Sequence, residues 1–215
     1  VLMNFGIAIR LFFNYRAKEA YSITENLYSV SPFLRKNLFD FRFSCLRETG
    51  DSTELINLSL DYIKEFPDSV SSYLCYAEAL IAFPFSSGKK IDSVLQLAEQ
   101  IDSRSGYLWF LKGMNELNNK KSETARDYLK KSVELDSSQY ETWLQYGYLE
   151  ISQNKNTPLV KDIAQKLLRL DSTRYEGYLM MGEYEFYNRN YVISNNWHRR
   201  ALKTPQLNKI TSSQV

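Results

Sequence analysis

The stretch "LDSSQYETWLQYG" at 135–147 returns as "LDSTRYEGYLMMG" at 170–182, 35 positions later, with seven of thirteen residues identical. Repetition at a fixed interval of this length marks a stacked architecture in which each unit is one supersecondary element. Catalytic groups need to occur once and converge in space, so no enzyme motif generates the pattern. The interval extends in both directions: Gly147 is preceded by Gly113 and followed by Gly182, and each glycine lies four residues after an aromatic, namely Trp109, Trp143 and Tyr178. Downstream of each glycine comes a polar turn and then a second apolar period at helical spacing, which predicts two helices per unit. Those second periods end in "VELDS", "LRLDS" and "ALKTP". With Gly 8 and Pro 5 in 215 residues, the chain lacks the punctuation of a strand-rich or loop-rich fold.

The unit resembles the tetratricopeptide repeat, which has about 34 residues, an aromatic near position 4, small residues at 8, 20 and 27, and proline at 32. Residues 106–139 carry the resemblance best, with Trp109, Gly113, Ala125 and the ending Leu135-Asp136-Ser137. They depart from the pattern at Lys112, Glu116 and Ser137, which hold positions 7, 11 and 32. Later copies have Trp143, Gly147, Val160, Ala164 and Leu167, with an extra residue near "NKNTP", and then Tyr178, Gly182, Ser194 and Ala201. Earlier copies are fainter. They offer Ala8, Ala20 and Pro32, then Phe39, a Gly50-Asp51 turn and Pro67, then Tyr73, Ala77 and Ala98 with a loop in "FPFSSGKK". The copy at 36–69 departs furthest, because Phe43 stands where a small residue belongs and Ser59 and Tyr62 hold positions 24 and 27. The resemblance implies an all-α fold, a right-handed α-α superhelix of about six hairpins. Its units would be 1–34, 36–69, 70–105, 106–139, 140–174 and 175–208, forming one array over 1–208 with a tail at 209–215.

Elementary packing supports the same reading. Glycine or alanine at the contact between two helices lets their axes approach, and a larger side chain would hold them apart. The aromatics at position 4 fill the space alongside, and a hairpin that cannot cover its own apolar face must stack on the next. The pairs Pro67-Asp68, Asp136-Ser137 and Asp171-Ser172 are expected to act as stops and N-caps between helices.

Chemistry is sparse. Lys plus Arg 27 against Asp plus Glu 25 gives a formal charge of +2, so no one-signed field draws the chain to nucleic acid or anionic lipid. Cys45 and Cys75 lie in apolar helical patterns without CxxC spacing and read as buried thiols. His198, the single histidine, has no partner constellation in sequence for a base or a metal, and local packing or a surface role is expected. "SSGKK" fails as a phosphate loop, since Phe83 and Lys90 occupy the positions that need glycine and a hydroxyl. Lys130-Lys131 and Arg199-Arg200, interleaved with Asp127 and Glu134, read as the solvated charge of outward-facing second helices. Glu116, Glu150 and Glu185 recur three residues past each glycine, and pairing with lysines or backbone groups of the adjacent unit is the expected account. No cofactor, metal or catalytic residue is expected. The most apolar stretch, "FGIAIRLFF" at 5–13, is too short for a span of about 20 residues. It also lacks a cleavage site, and the chain starts at Val1, which is expected to make it a domain of something larger.

In arrays resembling this family, first helices line the concave face through positions 2, 5, 9, 12 and 13. Carried onto this sequence, that implies a partner-binding groove of Tyr107, Phe110, Met114, Leu117, Leu144, Tyr148, Ile151, Leu179, Glu183 and Phe186. The Lys and Asn set with which a subset of the family grips chaperone C-terminal carboxylates is missing. The expected function is a noncatalytic protein–protein interaction scaffold or adaptor that binds an apolar or amphipathic protein segment, without nucleic acid and without membrane insertion. The alternative is an RNA-binding array of pentatricopeptide type, which shares the period but suits neither the net charge nor the apolar groove positions. Abundant Lys, Asn, Ser, Ile and Tyr point to a low-GC genome. A soluble cytoplasmic or periplasmic domain, free or in a membrane-anchored protein of a bacterial envelope, motility or secretion assembly, is the corresponding expectation.

Overall fold

The computed structural model describes residues 2–30, 35–82, 88–153 and 157–207. Among them lie twelve α-helices and no strand. The helices form two compact units, Val1–Ser103 and Arg104–Val215. The first contains α1 (Leu2–Phe13), α2 (Ala17–Val30), α3 (Arg35–Thr49), α4 (Ser52–Glu65), α5 (Val70–Ala82) and α6 (Gly88–Ile101). The second contains α7 (Gly106–Asn118), α8 (Ser122–Leu135), α9 (Tyr140–Gln153), α10 (Pro158–Leu170), α11 (Glu176–Tyr187) and α12 (Tyr191–Leu202). Within each unit every helix packs on its chain neighbours, so each unit is a stack of three helical hairpins, and α9 also touches α11. The hairpins follow the sequence repeats closely. Of the expected loop "FPFSSGKK", residues 83–87 fall outside the described residues, as do 154–156, Pro32 and the tail at 209–215, whereas Gly88–Lys90 are not loop but the first turn of α6.

The glycines explain the period in the second unit. A Cβ on Gly113 would lie 2.9 Å from the Leu129 side chain of α8, so this is the close approach within the α7–α8 hairpin. A Cβ on Gly147 would lie 2.4 Å from Met180 Cε and 3.0 Å from Ile163 Cγ2. Gly147 therefore receives both its own hairpin partner and a side chain of the next hairpin. At Gly182 the intruding group is the His198 ring, 2.4 Å from the same virtual atom, so the lone histidine packs on glycine as local structure. Around these contacts Ala125, Leu129, Leu144, Val160, Ile163, Ala164, Leu167 and Met180 form one buried core.

The poorest repeat reaches the same end by another route. In the α3–α4 hairpin the rings of Phe39 and Tyr62 stack face to face, 3.4 Å between centroids and 10° between planes, and both are buried. Phe39 is the usual position-4 aromatic, and Tyr62 lies flat on it from a position that carries a small residue in other repeats, which weakens the repeat signal at 36–69 while the hairpin persists. Phe43, Leu46, Leu55 and Leu58 complete the core there, together with Cys45. Burial pushes the Cys45 thiol up to about 11 and raises that of half-buried Cys75, as expected of thiols acting as apolar groups.

Turn chemistry is only partly as anticipated. Gly50 has φ +72° and Asp51 caps α4, its carboxylate accepting from the Glu54 amide at 3.0 Å. Asp136 and Asp171, however, do not N-cap the helices that follow. They are the C-caps of α8 and α10, and each carboxylate accepts from the backbone amide and hydroxyl two residues on, Ser138 or Thr173, at 2.6–2.9 Å. The helix has already ended at the aspartate, leaving its side chain to order the link instead. Asp68 likewise makes no cap bond to α5, whereas the Ser72 hydroxyl ties back to the Phe66 carbonyl at 2.9 Å.

Three hairpin turns place a non-glycine residue at positive φ: Tyr15 (60°), Lys120 (60°) and Arg189 (65°). Each is followed by an amide that donates five residues back, Arg16 to Leu11, Lys121 to Glu116 and Asn190 to Glu185, at 2.8–3.0 Å. This is the Schellman closure, in which glycine is the unstrained occupant of the left-handed position. Lys120→Gly and Arg189→Gly are accordingly expected to be neutral or to stabilise by up to about 1 kcal/mol. Gly113→Val should instead cost about 1–3 kcal/mol through overpacking against Leu129. Urea midpoints of the three variants against the parent chain measure both effects.

Candidate functional site

The ten residues expected to line a groove all lie on first helices of the second unit. On α7, Tyr107, Phe110, Met114 and Leu117 follow helical spacing and share a face. Phe110 and Leu117 rest on the core, and the Tyr107 and Phe110 rings stack 5.6 Å apart. On α9, Tyr148 is 46% exposed and Ile151 is half-buried against the core. On α11, Leu179 and Phe186 are 37% and 48% exposed, with half-buried Glu183 one turn from each. Leu144 differs from the rest. It is 5% exposed and belongs to the core, so it supports the face from beneath and offers no surface to a partner.

Two aromatic residues that the groove list leaves out extend this face. Phe186 meets the rings of Tyr187 and Tyr191 edge-on, each at 5.5 Å, and both tyrosines are exposed. Tyr187 holds position 13 of its repeat, so the sequence carried that signal. Tyr191 opens the second helix, and only the hairpin turn brings it to Phe186.

The cations are largely engaged within the fold. Lys131 Nζ lies 3.3 Å from the Trp109 ring centroid, Lys166 5.9 Å from that of Trp143, and Arg200 5.2 Å from that of Tyr178. The aromatic at position 4 thus carries a cation from the second helix of its own hairpin in three successive repeats. Lys131 and Arg200 are therefore more than solvated surface charge, although they are exposed like Lys130 and Arg199. The same aromatics also lock the inter-hairpin links, since Trp143 Nε1 donates to the Ser137 carbonyl at 3.0 Å and the Tyr178 hydroxyl to that of Ser172 at 3.1 Å.

The glutamate ladder is buried and paired. Glu150 meets Arg126 of the preceding hairpin at 2.7 Å, as adjacent-unit pairing anticipates. Glu116 and Glu185 instead bind within their own hairpin turns, to Lys121 at 3.2 Å and Asn190 at 2.7 Å. The Schellman turn brings those partners back over the helix end. At position 2, Arg174 bridges Glu141 at 2.6 Å and Glu176 at 2.8 Å while lying 3.9 Å over the Tyr140 ring. Burial, with Glu176 next in effect, raises the Tyr148 hydroxyl above the ordinary tyrosine range. Among the described residues no group of three His, Cys, Asp or Glu side chains could hold a metal ion, and no helix is long and apolar enough to cross a membrane.

Stacked hairpins with this geometry recur in solved structures. A thermophilic TPR protein of Thermus thermophilus, TTC0263, superposes with a TM-score of 0.69 at 14% identity over 90% of this chain and 97% of its own. The chain has the tetratricopeptide-repeat fold. MamA matches with a TM-score of 0.61 at 14% identity over 79% of this chain and 95% of its own. YrrB, described as a TPR protein with an unusual peptide-binding site, matches with 0.57 at 12% identity over 85% and 96%. No protein-family model and no curated protein matches the sequence. The likeness to tetratricopeptide proteins is therefore one of fold.

Two measurements probe the polar framework. Arg126→Met leaves the Glu150 carboxylate buried without its cation and should cost about 2 kcal/mol or more in urea unfolding, with Glu150→Gln milder. The Asp136 and Asp171 carboxyls are held below their usual range, chiefly by the hydroxyls of Ser138 and Thr173 and then by their amides. Their contribution is present above the ordinary aspartate pKa of about 4 and fades as pH falls through the lower folded values. The Asp136→Asn/Asp171→Asn variant should accordingly lose less stability between about pH 4 and pH 2 than the parent chain.

Proposed function

We propose that the chain is a noncatalytic interaction scaffold that holds an apolar or amphipathic segment of a partner protein against α7, α9 and α11. The observation that carries this reading is the set of apolar side chains left at the surface of those first helices, above all Tyr148, Leu179 and Phe186. Aromatic and aliphatic groups exposed together on elements whose other faces are packed mark a protein contact. The tetratricopeptide fold supports an interaction role in general. The peptide-binding site attributed to YrrB supports a peptide as the ligand class. The face carries carboxylate as its charge, with Glu183 among the ten residues and no cation, which disfavours a polyanion such as RNA.

Leu144→Glu is unsuited to testing this, because it would bury a charge in the core. Tyr148→Glu combined with Phe186→Glu changes exposed residues alone. Affinity capture from a lysate of the source organism, read by mass spectrometry, should recover a protein with the parent chain that the double variant loses. Circular dichroism should show equal helical content in both, and capture unchanged by the substitutions would remove the face from the function.

A further inference from the structure

Glu183 is half-buried on α11, between Leu179 four residues before it and Phe186 three residues after. It has no hydrogen bond or ion pair among the described residues, whereas the other carboxylates of the first-helix faces in this unit, Glu141 and Glu176, are both held by Arg174. A partner that covers Leu179 and Phe186 also removes water from Glu183. Desolvating a carboxylate without a counter-charge is strongly unfavourable, so the covering segment must bring a cation to that point or leave the face open.

The chain shows twice how it satisfies a carboxylate beside an aromatic ring. On α2, Tyr21 and Glu25 stand one turn apart, and Arg42 of α3 lies over the Tyr21 ring at 5.0 Å, donates to the Tyr21 hydroxyl at 3.0 Å and reaches Glu25 at 3.8 Å. At the start of α9, Arg174 lies over Tyr140 and pairs with the adjacent Glu141. In both places the third member is arginine, whose flat guanidinium can stack on a ring and still meet a carboxylate edge-on. Glu183 and Phe186 present the same ring and carboxylate one turn apart, with no arginine from any described residue.

Resting on the interaction face proposed above, we infer that its partner supplies an arginine, which pairs with Glu183 against the Phe186 ring and is flanked by apolar side chains that cover Leu179 and Tyr148. The occupant is thus a basic amphipathic segment. An acidic or purely apolar one would strand the carboxylate.

The probe is a displayed library of random dodecapeptides selected on the parent chain and on Glu183→Lys. Selected peptides should combine aromatic or aliphatic residues with arginine on the parent chain, and exchange arginine for Asp or Glu on the variant. A selected peptide remade with citrulline for arginine should bind the parent chain about tenfold more weakly and show no further loss on Glu183→Gln. Peptides that are lost on Tyr148→Glu/Phe186→Glu yet show no basic preference would overturn the arginine and leave the face. Failure to select any peptide sensitive to that double variant would overturn both. Light scattering on the chain alone should report a monomer. A dimer dispersed by Phe186→Glu would assign the face to a second copy and also overturn the inference.

Discussion

Close approach of two helices at a position without side-chain bulk is the constraint on which the second unit depends. Gly113 admits Leu129, Gly147 admits Ile163 and Met180, and Gly182 admits the ring of His198. Where the axes are close, the aromatic four residues earlier must lie beside the contact, and a cation from the facing helix settles on its ring. Because Met180 belongs to the hairpin after the one it fills, the same vacancy that closes one hairpin also joins it to the next. Stacking is then a consequence of local packing, as expected of a repeat whose units cannot bury their apolar faces alone.

The first unit shows that a hairpin can form without a small residue at every such position. Tyr62, stacked on the position-4 ring of Phe39, puts a large ring where other repeats carry a small residue, and the α3–α4 hairpin forms all the same. Such exchanges erase the letters that mark the repeat while the helices still pack. They explain how the fold is shared with proteins at 12–14% identity while no family model matches.

Polar groups follow the same logic of contacts. Several arginines and lysines of the second unit go onto aromatic faces and to the buried carboxylates Glu116, Glu150 and Glu176, and Arg174 also holds Glu141, whereas Glu183 has no such partner among the described residues. The face proposed above therefore presents one unpaired carboxylate, Glu183, which suits a protein segment of complementary charge.

By itself the sequence determined the helical hairpins, their order and their period, because the glycine, alanine and aromatic positions act locally and repeat. The candidate face on α7, α9 and α11 came only through the resemblance to the tetratricopeptide repeat, helical spacing adding that the members on one helix share a surface. The tertiary structure alone decided which members of that set reach solvent. Leu144 went inward, and Tyr191 came to Phe186 across a turn closed by Arg189 at positive φ, where no glycine announced it. It likewise decided that Asp136 and Asp171 end helices rather than begin them, and that Glu183 lacks the arginine its neighbours have. Burial and pairing depend on what another helix brings to a position, and that information is not held in the residues on either side of it.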